Sequence, residues 1–366
     1  MSGGPHVSRL GARRLLPAGC LLLFAAVCAA VPQQGPLFTI DEDCTAFAFG
    51  RDGKIAFSVH HVFSQHKFDI QRDDFWIADG GKGKRKILNG DKMARGEGGF
   101  SYTVRSIRWS PGGTKLAAEV LTGSAAERHG DETLSTQSFL LDANGQEIKV
   151  ADGDSFIPDS ENPAWLDDDS TVIYLEEATK PRKEFTIWTV RPAAGHAERL
   201  FQETYFLGAA WRERARQAVA VTSPSRGGNP QLVLLDLAKQ TITELAALDA
   251  YAGGISMSPS GQKVAYFRDP GTLEWRTLAE PKKAHDVQAL IGRFFWTHDE
   301  QHVLLKSGAE RRSAVIESVR LAEGTSDSVL HGLTFWNFAV SDDGTRMGVS
   351  PPGKHVMAVY DLPAQR

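Results

Sequence analysis

The chain has 366 residues, 42% hydrophobic and 23% charged, a composition of folded, water-soluble proteins with ample material for a core. Its net charge is −4, with basic and acidic residues interspersed, which excludes the sustained basic stripe that nucleic-acid phosphates demand. A nucleic-acid partner is therefore not expected.

At the start, Arg9, Arg13 and Arg14 precede an apolar run from Leu15 to Val31 that closes on the small residues Cys28, Ala29 and Ala30. That order matches a secretory signal peptide over 1–30, cleaved near Ala30. The run is shorter than the roughly 20 apolar residues of a comfortable membrane span and Pro17 interrupts it, so no span is expected after cleavage. Most of the run follows Cys20 instead of preceding it, which argues against lipidation there. Cys20 and Cys28 would leave with the signal, and Cys44 alone cannot form an internal disulfide. With no Asn-x-Ser/Thr sequon present, a periplasmic or secreted location is expected, a bacterial periplasm being the simplest.

From residue 31 the chain reads as one repeating domain, 31–366. A strand, a short turn and a second strand recur as Phe47–Phe57, Ile107–Ala117, Pro163–Tyr174, Ile255–Tyr266, Phe294–Leu305 and Phe338–Val349, with a weaker copy at Ala209–Val221. Second hairpins lie between them at Phe75–Leu88, Ser138–Val150, Thr186–Phe201 and Gln231–Leu245. Each repeat is thus a four-stranded antiparallel sheet, which cannot bury both faces alone. Radial packing around an axis solves this. The expected fold is all-β: a seven-bladed β-propeller, with six blades as the alternative. The last copy has only three strands, ending at His355–Pro363, so Pro36–Ile40 is expected to supply its fourth and close the ring.

The segments "WSPGGTKLA", "MSPSGQKVAY" and "VSDDGTRMGV" resemble the Trp-Ser-Pro-Asp-Gly repeat of the TolB-like, WD-like β-propeller family, over nearly the whole chain after the signal. Three copies depart from that pattern. Asp169 replaces the glycine, His298 and Glu300 stand where proline and glycine are usual, and the Ala209–Val221 copy lacks the turn motif. The resemblance implies a propeller and leaves the function open, since the family includes periplasmic scaffolds and the non-catalytic propellers of peptidases.

In such blades the second-to-third loops and the inter-blade connections share one face. Val59–Asp74, Asn89–Tyr102, Leu121–Thr136, Ala151–Asn162 and Glu176–Lys183 are long, all fall in the first three blades, and predict one functional rim, while the opposite turns read as uniformly short. Arg95, Phe100, Tyr102 and Arg128 are the residue types that recognise protein or peptide, and His60 and His66 join them as candidate binding residues. His60 and His61 point to opposite faces of an extended strand, so no metal site is assigned, and no cofactor. The acidic stretch with Asp152, Asp154, Asp159 and Glu161 lacks EF-hand spacing and reads as a solvated turn. Trp109, Trp165, Trp211 and Trp296 take equivalent positions and predict inter-blade packing. Arg105, Arg108, Arg293 and Asn337 lie on or beside the innermost strands, facing a central channel. No G-x-S-x-G, H-E-x-x-H or dinucleotide loop occurs. The favoured reading is a monomeric, non-enzymatic module binding a protein or peptide of the cell envelope through the loop-rich face. The alternative is a hydrolase or lyase with a metal or His/Asp site of His60, His66 and Asp154 over the channel.

Overall fold

The computed structural model describes residues 35–362 apart from 66–67, 93–99, 125–134, 151–153, 167–168, 180–183, 213–215, 223–228, 249–251, 269–270, 289–292, 308–314, 331–336 and 351–355. The expected signal peptide lies outside them. Every ladder between named strands is antiparallel. Sheet I holds Cys44–Phe49, Lys54–Val59, Asp74–Asp79 and Lys84–Leu88. Sheet II holds Phe100–Trp109, Lys115–Ser124, Ser135–Asp142 and Phe156–Ile157. Sheet III is eight-stranded and runs from Ser160–Trp165 to Thr241–Ala247. Sheet IV spans Ala252–Met257 to His285–Gln288 and sheet V spans Phe294–Trp296 to Ser326–Leu330, each with four strands. Sheet VI has Asn337–Val340, Arg346–Ser350 and Met357–Asp361. In sheets I, II, IV and V the strands follow one another outward in chain order.

The fourth strand of sheet VI comes from the other end of the chain. Phe38–Ile40 pairs with Met357–Asp361 in the register Phe38↔Val359, Thr39↔Ala358 and Ile40↔Met357, and the Leu37 N–H donates to the Val359 carbonyl at 2.7 Å. First and last segments thus share one sheet, as the missing strand of the last repeat led us to expect. The arrangement is an all-β propeller of four-stranded antiparallel blades.

The second and third strands of each sheet are covered on both faces and therefore read as continuous apolar runs, such as Val172–Leu175 and Ala218–Val221. Outer strands such as Lys84–Leu88 and Thr241–Ala247 are mostly exposed and carry lysine, threonine or glutamate, which blunts their open edges. The core lies between neighbouring sheets. Ala56, Phe75 and Ile77 of sheet I meet Tyr102, Val104 and Leu116 of sheet II, and Leu304 and Ile316 of sheet V meet Phe338 and Val349 of sheet VI. Trp109, Trp165, Trp211 and Trp296 are all buried, as expected of packing residues. The Trp109 indole N–H donates to the Ala48 carbonyl at 3.1 Å and that of Trp211 to the Asn162 carbonyl at 2.8 Å, each reaching the innermost strand before its own. Gly50 lies beneath the Trp109 ring, where a Cβ would sit 2.8 Å from a ring carbon.

The departures from the repeat motif have a common explanation. The turn after each innermost strand contains a left-handed residue: Gly53, Gly113, Gly261 and Gly344 where glycine is present, and Asp169, Arg216 and Glu300 where it is not. Two of the substitutes do further work. Asp169 accepts hydrogen bonds from Gly112 N at 2.9 Å and Ser110 Oγ at 3.1 Å, and Glu300 accepts from Ser260 Oγ at 2.7 Å, so each carboxylate ties its turn to that of the preceding repeat.

Three expectations need correction. The fourth strand of sheet II is Phe156–Ile157, and the expected Ser138–Val150 hairpin persists only as the bridge Leu141↔Glu147. The connection 143–155 therefore lies at the end expected to have only short turns, and Ala151–Asn162 is no rim loop, because strands occupy Phe156–Ile157 and the chain from Ser160 onward. Long connections are also not confined to the first three repeats, since 223–230 is longer than 180–183.

Candidate functional site

Innermost strands converge on a central cavity of about 870 Å³. Its lining comes from Phe47–Arg51, Arg105–Pro111, Glu161–Asn162, Leu207–Trp211, Gly253–Met257, Arg293, Phe295, Ala339, Val340 and Asp342, together with Glu119, Leu175 and Phe185. Arg105, Arg108 and Arg293 thus face the channel as the sequence suggested, and Asn337 holds Arg293 through a hydrogen bond of 3.2 Å from Nη1 to Asn337 Oδ1.

A repeated irregularity sets which side chains look inward. The ladder between first and second strands shifts register at Cys44/Ala46, Val104/Ser106, Glu161/Ala164, Phe206/Gly208 and Gly253/Ser256. A bulge inserts residues without partners and re-aims them. Here the inserted residues include Thr45, Arg105, Asn162 and Leu207. Arg105 is exposed and has no hydrogen bond or ion pair with a described residue. Arg293 is likewise exposed as a residue, yet protein crowds its guanidinium. Burial first, and then the charge of Arg108, lower its pKa from the usual arginine value, while Glu119 opposes them.

Antiparallel order brings the end of each second strand, from which the second-to-third connection leaves, beside the start of the innermost strand. In sheet I, the segment between second and third strands folds into a hairpin, Val62–Gln65 against Phe68–Gln71. It returns beside the innermost strand of sheet II through the bridge Arg72↔Tyr102 and a 3.2 Å hydrogen bond from Gln71 N to Ser101 Oγ.

Of the candidate binding residues, Arg95, Arg128 and His66 lie outside the described residues. Phe100 opens the innermost strand of sheet II, its backbone opposite Ser124. Tyr102 is not a rim side chain: it is 0% exposed and its hydroxyl donates to the Asp73 carbonyl at 2.5 Å. His60 is on the surface, with Nδ1 at 3.1 Å from Asp73 Oδ1. The structure therefore brings Tyr102 and His60 together on Asp73, which the sequence reading did not single out. The other Asp73 oxygen, Oδ2, accepts from Val104 N at 2.9 Å and Thr45 Oγ1 at 3.1 Å. Thr45 and Ser58 hydroxyls share a 2.7 Å hydrogen bond, and Ser58 also receives the Ala46 N–H at 3.1 Å. A fully buried carboxylate with this many donors is a strut joining sheet I to sheet II. Its only sequence signal is an acidic pair, Asp73-Asp74, ahead of an apolar strand.

The hydrogen bond to Asp73, its largest cause, raises the His60 pKa above the usual histidine value of 6.5, with burial opposing. Because the folded-state pKa is the higher one, the stabilisation is present below the unfolded pKa and lost as pH rises through the folded value. A proton-detected titration should place the His60 midpoint above 6.5, and Asp73→Asn should bring it back down. An unchanged midpoint in that variant would remove the pair from the account.

Asp154 Oδ1 accepts from Phe156 N at 3.0 Å, a local turn. Among the described residues no three His, Cys, Asp or Glu side chains gather to hold a metal ion, and no helix is long and apolar enough to cross a membrane.

No family profile and no curated protein matches the chain. Among solved structures, a chain of the "Crystal Structure of Mitotic Checkpoint Complex" is similar, with a TM-score of 0.55, 11% identity, and coverage of 97% of this chain and 99% of that one. At that identity the likeness bears on the fold alone, and together with the sheets it supports a β-propeller.

Proposed function

We propose that this chain is an exported, monomeric, non-enzymatic β-propeller, TolB-like in its repeats, that binds a protein or peptide of the cell envelope at the channel mouth beside the long connections. The observation that carries the reading is the open channel of about 870 Å³, with exposed Arg105 and Arg293 in its wall. A concave site with a few convergent polar groups on a rigid scaffold is where propellers have room for a partner. The hydroxyls nearest His60 and Asp73 serve structural bonds, which favours binding over catalysis.

The proposal includes seven blades and a single propeller domain from residue 31. Within sheet III, Glu184–Arg191 already carries a complete outer strand, His196–Leu200, and meets Phe206–Arg212 only at Phe185↔Phe206. We count this sheet as two blades touching at one point. Export rests on Arg9, Arg13, Arg14 and the apolar run that ends at Ala30.

The test is a peptide-display selection against the chain from residue 31 onward, repeated with the Val62–Gln71 hairpin replaced by a short glycine-serine link. Selected peptides should lose binding to that variant and keep it in Lys239→Glu, on an exposed turn. Failure to select any peptide, or loss only in Lys239→Glu, would overturn the reading.

A further inference from the structure

Two of the channel arginines each donate to an asparagine. Arg108 Nη2 donates to Asn162 Oδ1 at 2.6 Å, as Arg293 Nη1 does to Asn337 Oδ1 at 3.2 Å. Both asparagines are anchored in turn. Asn162 Nδ2 donates to the Ala209 carbonyl at 3.0 Å and its backbone N–H to Glu119 Oε2 at 2.8 Å, while Asn337 Nδ2 donates to the Thr45 carbonyl at 3.3 Å. For Arg293 that partner is an amide oxygen, which aims a guanidinium without neutralising it. The Phe295 ring, its centroid 5.3 Å from the Arg293 guanidinium carbon, covers another side of that group.

Arg51, Arg105, Arg108 and Arg293 line the channel against Glu119, Glu161 and Asp342, and one Glu119 oxygen is engaged by Asn162. Arg108 and Arg293 act on each other as like charges. Guanidiniums held toward one cavity gain most from an anion placed between them, and their planar forks match a carboxylate. The apolar remainder of the wall, including Ile107, Leu207 and Phe295, suits the rest of a peptide.

We propose that the channel mouth is a carboxylate site, in which Arg293 and Arg105 clamp an acidic group of the bound peptide above Arg108. This deepens the peptide-binding reading and rests on it. The carboxylate is either an Asp or Glu side chain or a C-terminus.

Three labelled hexapeptides measured by fluorescence anisotropy test it: blocked hexaglutamate, blocked hexaglutamine, and hexaglutamine with a free C-terminus. At least one carboxylate peptide should bind roughly tenfold more tightly than blocked hexaglutamine, and Arg293→Gln should erase the difference. Arg105→Gln, at an exposed position, should weaken it too and guards against a folding defect in the Arg293 variant. Preference for the free C-terminus assigns a terminal carboxylate, and preference for hexaglutamate assigns side chains. Equal affinity for all three, or a preference untouched by either variant, would overturn the carboxylate site. If neutral display-selected peptides still bind at the mouth, the interaction module stands without it. If display yields nothing, the parent reading fails first.

Discussion

Replacing Ile40 by aspartate is expected to destabilise the chain by about 3–5 kcal/mol, read as a lower denaturant midpoint of tryptophan fluorescence. Ile40 is 4% exposed and packs in one cluster with Phe47, Phe57, Met357 and Val359. A carboxylate there would be buried among those apolar side chains, and its desolvation would loosen the strand that, among the described residues, pairs with the outer side of Met357–Asp361. Sheet VI would then present an open edge. Thr39→Asp, on the same strand but exposed, should stay within about 0.5 kcal/mol of the parent. Equal effects of the two changes would mean that closure by the N-terminal strand does not hold the ring.

Glu274→Ala is expected to cost a further large amount, about 3–5 kcal/mol, because it strands buried positive charge. Glu274 is 2% exposed on the third strand of sheet IV and lies 2.5 Å from Arg276 Nη2 and 3.2 Å from Arg268 Nη1. Arg276, itself 7% exposed, also donates from Nε to the Tyr266 hydroxyl at 2.8 Å and from Nη1 to the Pro281 carbonyl at 2.8 Å. Burial, and next the hydrogen bond to Glu274, push the Tyr266 phenol well above its usual range, so the tyrosine remains a donor to that carboxylate. Tyr266→Phe removes one donor and keeps the charge balance, so it should cost only about 1–2 kcal/mol in the same denaturation experiment. A loss below that of Tyr266→Phe in the Glu274 variant would show that the arginines find water or other partners.

Much of the architecture was legible because it is written locally. A turn that needs one left-handed residue, flanked by apolar alternation, leaves a mark within a dozen residues, and that mark returns along the chain from Phe47 to Val349. Where the mark was misread, the ladder is irregular. Tyr102 and Val104 alternate in phase, the bulge at Arg105 shifts that phase by one, and Ile107 and Trp109 resume it. From sequence the repeat therefore reads as starting at Ile107, and Asn89–Tyr102 reads as a loop. Sheet II misled similarly, because its outer strand is interrupted: Ile148 N donates to the Leu140 carbonyl at 2.9 Å, and regular pairing resumes only at Phe156.

By itself the sequence determined the repeat, the class of fold, the packing role of the tryptophans and the strand that completes sheet VI, since each depends on a pattern of period two or on a turn of a few residues. Only the tertiary structure decided that Asp73 and Glu274 are buried struts, that Asp169 and Glu300 tie neighbouring turns, and how Asn162 and Asn337 aim arginines into the channel. The partners concerned lie as far apart as residues 45 and 337, or 110 and 169, and are joined only when the ring closes. Whether a polar group is buried, paired or left facing water is settled by those distant neighbours and not by the residues on either side of it.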